Sequence, residues 1–235
     1  MLTKKFAVDC GIWLRKNVAS LWRGIKGENI KVSDTQVLYN FEQPETIKNF
    51  VCLSDNEVGG NSEAKLTTSK HGRLLFSGNV STDIDKNVSI DHSGFCGIRS
   101  KPITGLFNKV ETVDMSYYDC IEIKYRGDGR PYFVNIQTES MMLLNQYDLF
   151  QSFLFTKGGP YWEVERLPFS KFLMTYQGYL QDEQFDFSNV RTIGLSLSDK
   201  KSGPFSLEIE YLKMIKIGFQ PMTFRHLNNR RFQPE

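Results

Sequence analysis

The chain has 235 residues, of which 40% are hydrophobic and 24% are charged, and its formal net charge is +2. This composition is ordinary for a globular protein and excludes the disordered and collagen-like classes. The small net charge gives no general attraction to nucleic acid, and no run of about 18 apolar residues is present to span a bilayer.

Residues 1–34 are predicted to form a basic amphipathic helix followed by a linker. Apolar side chains recur there at helical spacing and basic side chains flank them or lie toward the opposite side. Asp9 is the one acidic residue among residues 1–27. The side chains that would meet an anionic membrane surface are Leu14, Arg15, Lys16, Val18, Leu21, Trp22, Arg23, Ile25 and Lys26.

Three interpretations of this segment remain open. A mitochondrial presequence is amphipathic, bears arginine and is poor in acidic residues. A retained helix of the same kind lies on an anionic membrane or in a partner groove. A helix packed on its own domain is the third possibility. We expect the retained surface helix.

From about residue 37 the hydrophobic period changes from helical to two, which is typical of strands with one buried and one solvated face. Turn signals such as Gly127-Asp128-Gly129 separate the runs. The predicted strands lie near residues 73–80, 94–99, 121–126, 131–138, 149–156, 161–167, 192–198 and 205–211.

Many short, aromatic-rich strands without a βαβ rhythm predict an all-β fold, an antiparallel β-sandwich or jelly roll, over residues 35–217. Residues 218–235 are predicted to be an extended C-terminal tail. Much of the core is expected to come from phenylalanine: Phe41, Phe76, Phe95, Phe133, Phe153, Phe155, Phe169 and Phe172.

Glu208 and Glu210 are the best candidates for catalysis. Residues i and i+2 of a strand share a face, so these carboxylates would lie about 7 Å apart, a separation that glycosidases use. The simpler interpretation is that they form the solvated half of an alternating strand, and it holds equally for Glu163 and Glu165.

Reactive and metal-binding motifs are otherwise missing from the sequence. Its three histidines lack zinc-site spacing, and there is no nucleophile elbow, P-loop or GxGxxG. The four cysteines contain no CxxC pair and are expected to be buried or free thiols of a reducing compartment. We therefore expect no catalytic residues, no metal and no cofactor.

Six strings carry a resemblance to a known family. They are residues 55–63 (DNEVGGNSE), 93–96 (SGFC), 126–136 (RGDGRPYFVNI), 155–162 (FTKGGPYW), 168–172 (PFSKF) and 203–209 (GPFSLEI). In order and spacing the chain from about residue 37 to 217 resembles the complex I intermediate-associated protein family. The N-terminal helix and the tail lie outside the resemblance.

The resemblance implies a galactose-binding-like jelly roll, similar to carbohydrate-binding modules, that acts as a non-enzymatic assembly factor. It implies a peripheral location on the matrix side of the mitochondrial inner membrane. The implied partners are membrane-arm subunits and intermediates of complex I, an acyl-CoA-dehydrogenase-like assembly factor and the Toll-pathway signalling intermediate protein. Anionic lipid is expected as a further partner of the basic helix.

The loops near residues 126–132 and 157–162 are the predicted contact region, because a rigid sheet can present loop side chains with little ordering cost. The candidates for partner binding are Arg126, Asp128, Arg130, Tyr132, Lys157, Tyr161 and Trp162. Two alternatives remain: a carbohydrate-binding module that stacks sugars on Tyr161 and Trp162, and a glycosidase that uses Glu208 and Glu210.

Overall fold

The computed structural model describes residues 33–83, 94–104, 110–139, 149–176, 179–181 and 187–217. The predicted basic helix, with its candidates Leu14, Arg15, Lys16, Val18, Leu21, Trp22, Arg23, Ile25 and Lys26, and the predicted tail lie outside these residues. The elements below belong to the compact unit that begins at Thr35. Among the described residues we find no helix with the length and hydrophobicity that spanning a bilayer requires.

Short strands dominate the described chain. In chain order the elements are β1 (Thr35–Asn40), the helical turn α1 (Pro44–Ile47), β2 (Phe50–Ser54), a 3₁₀ turn (Asp55–Val58), β3 (Glu63–Thr68), β4 (Leu74–Val80), β5 (Cys96–Ser100), β6 (Ile103–Thr104), β7 (Val110–Glu111), β8 (Cys120–Arg126), β9 (Pro131–Thr138), β10 (Leu149–Phe155), β11 (Glu163–Pro168), a 3₁₀ turn (Phe169–Lys171), β12 (Leu173–Tyr176), β13 (Tyr179–Leu180), a 3₁₀ turn (Phe187–Asn189), β14 (Val190–Leu197) and β15 (Gly203–Ile215).

These strands form two main antiparallel sheets. The first sheet has the order β11-β8-β15-β4-β3, and β1 also pairs with β15. The second sheet has the order β13-β12-β10-β9-β14-β5-β2, and β6 pairs with β7 separately. Neighbouring strands in space are mostly distant in sequence, as in a jelly roll. The predicted all-β sandwich is confirmed.

Strand β15 organises the first sheet. It pairs with β8 along one edge, and along the other edge with β4 and then β1. Its register against β8 shifts between Ile209 and Tyr211, so Glu210 is an extra residue in a β-bulge. The bulge moves Tyr211 to the outer face, where its hydroxyl donates to Glu122 Oε1 at 3.1 Å. Strict alternation from residue 205 predicts Tyr211 on the same side as Ile209, and the bulge makes that prediction wrong.

The core lies between the sheets and is filled from both inner faces. Tyr125, Ile123 and Leu207 come from the first sheet, and Val134 and Leu195 come from the second. Burying such side chains is the main favourable term in folding. Of the predicted core phenylalanines, Phe41, Phe76, Phe169 and Phe172 are buried.

Three other phenylalanines contradict the core prediction. Phe153 is 51% exposed and Phe155 is 67% exposed, and Phe133 is half-buried beside them. Each lies at the outer position of its strand, because the neighbouring residues Leu154 and Tyr132 occupy the inner positions. Phe95 is also only partly buried.

The predicted free thiols are confirmed for the described cysteines. Cys52, Cys96 and Cys120 are unpaired. Burial, followed by the charge of Asp55, raises the pKa of the Cys96 thiol to about 12. A thiol with so high a pKa is inert at neutral pH, which suits a residue that packs in a core.

Asp55 is a fully buried acid that ties β2 to two loops. Its Oδ1 accepts the backbone N–H of Ser62 at 2.8 Å, and its Oδ2 accepts the hydroxyl of Ser62 at 3.0 Å and the backbone N–H of Gly94 at 2.6 Å. A side chain at Gly60 would not fit, because its Cβ would lie 2.3 Å from Asp55 Cγ. The Asp55 carboxylate therefore takes the place of backbone carbonyl acceptors where the strands end.

Asp55→Ala should lower the free energy of unfolding by about 2–4 kcal/mol, since it leaves buried N–H and O–H donors without an acceptor. Asp114→Ala is the control, because Asp114 is exposed and accepts only from Ser116 in the next turn. Urea unfolding of both variants provides the measurement. Equal losses in the two variants would contradict the role given to Asp55.

Candidate functional site

The loop between β8 and β9 is shaped by Asp128. Its Oδ1 accepts the backbone N–H of Arg130 at 3.0 Å, and its Oδ2 accepts the hydroxyl of Tyr132 at 3.0 Å and the backbone N–H of Ser206 at 2.7 Å. Gly129 has φ +94°, which favours glycine. Asp128 thus fixes both the turn and its attachment to β15.

Arg130 joins this loop to the segment before β15. Its Nε donates to Asp199 Oδ2 at 2.9 Å and its Nη2 donates to Asp199 Oδ1 at 2.6 Å, a bidentate pair. Its Nη1 donates to the carbonyl of Gly203 at 3.0 Å. The side chains of Arg130 and Asp199 are 14% and 5% exposed. The Arg130 guanidinium therefore links the two loops to each other.

The pKa values of this pair agree with a stable ion pair. Burial alone would raise the pKa of Asp199, but hydrogen bonds from Arg130 and from backbone N–H groups, with the charge of Arg130, outweigh it and lower the pKa. The hydrogen bond to Asp199 raises the pKa of Arg130. Both groups stay charged across the physiological range.

Thr156 fastens the β10–β11 loop to the same cluster. Its hydroxyl donates to the carbonyl of Arg130 at 2.9 Å and accepts the backbone N–H of Gly129 at 2.9 Å. A Cβ at Gly127 would lie 2.4 Å from Thr156 Cβ, so the close approach requires glycine. The two predicted contact loops therefore form one interlocked unit at one end of the sandwich.

Five of the seven predicted contact residues separate into two groups. Tyr132 is completely buried, and Asp128 and Arg130 are engaged within the loop cluster as described above. Tyr161 is 79% exposed, and the side chain of Lys157 is 85% exposed. The first group shapes the loops, and the second group lies on their surface, where another molecule can reach it.

Trp162 and Arg126 lie between these groups. Trp162 is half-buried, and the guanidinium carbon of Arg126 lies 5.3 Å from the centroid of its ring, while Lys124 Nζ lies 5.8 Å from it. Both distances are typical of cation–π contacts. Arg126 Nη1 also donates to the carbonyl of Pro160 at 3.4 Å. Neither Tyr161 nor Trp162 fills the core.

Beside Arg126 a depression of about 470 Å³ opens on the outer face of the first sheet. Glu208 lies in its floor with a side chain that is 5% exposed, so its predicted solvation was wrong. Arg126 Nη2 and the Ser69 hydroxyl both donate to this carboxylate, and His71 Nδ1 lies 3.2 Å from Glu208 Oε1. Ser69 and His71 are 139 and 137 residues away in sequence, and no spacing in the sequence points to them.

A serine, a histidine and a glutamate meet here without the geometry of a nucleophilic triad. The Ser69 hydroxyl donates to Glu208 and accepts the backbone N–H groups of His71 at 3.1 Å and Arg73 at 3.2 Å. A nucleophilic serine would instead donate to the imidazole. The cluster serves to neutralise a buried carboxylate.

The glycosidase hypothesis fits these carboxylates poorly. Burial alone would raise the pKa of Glu208, but hydrogen bonds from Ser69 and Arg126 and the Arg126 charge outweigh it and lower the pKa. The pKa of Glu210 is also lowered, against the effect of burial, because it accepts a hydrogen bond from Lys124 at 2.8 Å and forms an ion pair with Arg73 at 3.3 Å. A glycosidase needs one carboxyl group with a raised pKa.

Glu165 is exposed, as the interpretation of a solvated strand face predicts, and Glu163 is partly buried. They pair in register with Tyr125 and Ile123, so they point to the inner side of the edge strand β11 rather than to the outer side. Burial, with the charges of both glutamates, raises the pKa of Tyr125 to about 12. Among the described residues, no three acidic, histidine or cysteine side chains come together as metal ligands.

Glu208→Gln should lower the free energy of unfolding at pH 7 by about 1–3 kcal/mol, because it leaves Arg126 without its counter-ion. The folded pKa of Glu208 lies below its ordinary value of 4.5, so its contribution is present above that value and is lost as the pH falls through the folded pKa. The difference between wild type and variant should therefore shrink in acid. Urea unfolding at several pH values measures it.

Glu45→Gln is the matched control, since the side chain of Glu45 is 77% exposed and its ion-pair partner Lys48 is 74% exposed. It should change stability by less than about 0.5 kcal/mol at every pH. A constant difference for Glu208→Gln down to pH 3 would show that ionisation of Glu208 does not contribute.

Comparison with solved structures supports the fold. The chain is similar to the family 11 carbohydrate-binding module of a cellulosomal cellulase from Clostridium thermocellum, with a TM-score of 0.54 at 18% identity. The match covers 78% of this chain and 95% of that module. At this identity the likeness concerns the sandwich alone.

Sequence comparison identifies the family. The family model described as complex I intermediate-associated protein 30 matches residues 39–209. The mitochondrial protein of that name from Drosophila melanogaster is 33% identical over 223 residues, which cover 89% of this chain and 75% of the relative. The one from Mus musculus is 32% identical over 205 residues, which cover 85% of this chain and 62% of the relative. The matched region takes in both interlocked loops and the sheet beneath them, and the chain belongs to the complex I intermediate-associated protein 30 family.

Proposed function

We propose that this protein is a non-enzymatic assembly factor that holds intermediates of the membrane arm of mitochondrial complex I. The relatives carry names that refer to complex I intermediates and to mitochondria, which supports the partner and the compartment. The depressed pKa values of Glu208 and Glu210 favour binding over catalysis. The working location is the matrix side of the inner membrane, where such intermediates are exposed to soluble factors.

The observation that carries the proposal is the contrast within the interlocked loops. Arg130, Asp128 and Thr156 hold the backbone rigidly, whereas Lys157 and Tyr161 on the same unit are largely solvent-exposed. Side chains on a pre-ordered loop lose little conformational entropy on binding, so more of the interaction energy remains as affinity. Tyrosine offers a large apolar ring with a polar hydroxyl, a combination enriched at interfaces.

Each member of the predicted contact set has a place in this proposal. Lys157, Tyr161 and the accessible part of Trp162 touch the partner, with Arg126 behind the tryptophan ring. Asp128, Arg130 and Tyr132 keep the loops in the binding shape. The partners are membrane-arm subunits, the acyl-CoA-dehydrogenase-like factor and the Toll-pathway signalling intermediate protein.

A second contact is proposed for residues 1–34. Arg15, Lys16, Arg23 and Lys26 would attract anionic lipid by roughly 1 kcal/mol each near the surface, and the apolar side chains would enter the interface. Membrane and partner binding would then reinforce each other, because a chain held at the surface meets membrane subunits at a higher local concentration.

Immunocapture of the tagged chain from mitochondria should recover complex I subunits and assembly factors. Lys157→Glu combined with Tyr161→Ala should lower the recovery about fivefold or more, as expected for central interface residues, with an unchanged melting temperature. Quantitative mass spectrometry of the captured proteins provides the measurement.

Lys171→Glu is the control, because Lys171 is exposed at the far end of β11 from these loops. It should leave recovery unchanged. If the wild-type chain recovers no complex I protein, the assembly-factor proposal fails.

The full chain should float with vesicles of phosphatidylcholine and cardiolipin and should remain free with phosphatidylcholine alone. Leu14→Glu with Leu21→Glu should abolish flotation, and raised salt should weaken it because the basic side chains are screened. Lipid binding that is unaffected by the double variant would refute the role of this segment. Lys171→Glu again serves as the charge-matched control.

A further inference from the structure

The outer faces of the two sheets differ in how their charges are balanced. On the first sheet, Arg166 Nε donates to Glu122 Oε2 at 2.9 Å and Lys124 Nζ donates to Glu210 Oε1 at 2.8 Å, and Arg126 pairs with Glu208. The three carboxylates at the centre of this face are therefore neutralised by their own neighbours. The charges of this face are therefore balanced without a partner molecule.

The outer face of the second sheet carries a contiguous group of three phenylalanine rings. The centroids of Phe133 and Phe153 are 4.6 Å apart, and those of Phe153 and Phe155 are 5.4 Å apart with an interplanar angle of 11°. Phe133 and Phe153 are direct partners in the register of β9 and β10. Single exposed apolar residues are common, but a contiguous exposed group marks a binding surface.

Next to the rings, polar side chains form a chain of hydrogen bonds across the strands. Thr175 Oγ1 donates to Gln151 Oε1, Gln151 Nε2 to Asn135 Oδ1, and Asn135 Nδ2 to Ser196 Oγ, each at 2.9 Å. These groups satisfy one another, so they hold their side chains in place. They are neutral and add no charge to the face.

Arg99 brings to this surface a positive charge that no described carboxylate balances, and Arg191 of β14 is likewise without an ion pair among the described residues. In register it lies between Val51 of β2 and Gly194 of β14, and no described carboxylate forms an ion pair with it. Its Nε is buried and makes no hydrogen bond. Outer positions of the described strands of this sheet hold no aspartate or glutamate. A half-buried guanidinium without an anion is costly, and an incoming carboxylate would relieve that cost.

We propose that this outer face is the docking surface for a polypeptide segment of the assembly partner. The segment presents apolar side chains to Phe133, Phe153 and Phe155 and a carboxylate to Arg99. The inference rests on the proposed function and extends it, because Phe155 ends β10 immediately before the loop that carries Lys157 and Tyr161. The contact surface therefore runs from the loop onto the sheet.

A polypeptide fits this face better than a sugar chain does. Sugar recognition needs free donors and acceptors beside an aromatic platform, whereas Asn135, Gln151 and Ser196 are engaged with one another. A neutral glycan would also leave the charge of Arg99 uncompensated. An acidic and apolar peptide satisfies both the rings and the guanidinium.

Site-specific photo-crosslinking in mitochondria tests the location. Benzoylphenylalanine replaces Phe155 in the tagged full chain, and in a control chain it replaces Ile217. The control matches well, since Ile217 is 47% exposed and follows β15 at the end opposite to the loops that carry Lys157 and Tyr161. We expect position 155 to crosslink to a segment of a complex I subunit or assembly factor that contains an aspartate or glutamate, and position 217 to give no such product.

Substitutions test the chemistry. Phe153→Ser with Phe155→Ser, and separately Arg99→Glu, should each lower capture of complex I proteins about tenfold, the effect of removing one hot spot. Ile217→Ser should leave capture unchanged. Thermal melts establish that each variant is folded. For Arg99→Glu, a lysine introduced at the partner's crosslinked acid should restore capture.

The outcomes separate the inference from the proposed function. Normal capture by folded Phe153→Ser/Phe155→Ser, with no crosslink at position 155, overturns the docking surface and leaves the assembly role intact. Wild-type capture of no complex I protein overturns both. Saturable binding of a β-1,3-1,4-glucan oligosaccharide that the double variant abolishes would assign the face to a sugar and overturn the peptide proposal.

Discussion

The packing of two sheets against each other through every second side chain is the constraint on which the rest of this molecule depends. Because strand side chains alternate between faces, a change of one position in register moves every later residue to the opposite side. The bulge at Glu210 shows how the constraint is met in the longest strand. Ile209 and Leu212 both reach the core because one residue between them is taken out of the alternation.

The constraint also explains why the loops at one end are rigid. β8 ends at Arg126, β9 begins at Pro131 and β15 begins at Gly203, so three chain segments meet at this end of the sandwich. Arg130 and Asp128 join these segments through charged side chains, and Arg130 with its partner Asp199 is largely withdrawn from water. A buried charge is least costly when it is paired and hydrogen-bonded, and the bidentate pair with Asp199 meets that condition. The result is a fixed support for the exposed Lys157 and Tyr161.

The two outer faces illustrate how a rigid scaffold separates stability from binding. Charged side chains on the outer face of the first sheet form ion pairs with one another, and Arg126 contacts both Glu208 and the ring of Trp162. The second sheet carries on its outer face the exposed Phe153 and Phe155 beside the half-buried Phe133 and Arg99, and the exposed rings contribute little to folding. Surface hydrophobic groups of this kind are tolerated where they serve recognition. Family membership and this division of roles both support the proposed role as an assembly factor.

The sequence by itself determined the fold class, most of the longer strands and the family, because period-two patterning and turn residues are local signals. It also predicted where the two loops of the proposed contact region lie, because glycines are typical of such turns. Only the tertiary structure decided which side of each strand is buried, so Phe153 and Phe155 were assigned to the core although they lie outside it. Likewise, Ser69 and His71 reach Glu208 only after β4 and β15 pair, and Arg130 finds Asp199 only when the loops meet. Side-chain contacts between residues far apart in the chain follow from sheet pairing, and no local pattern records that pairing.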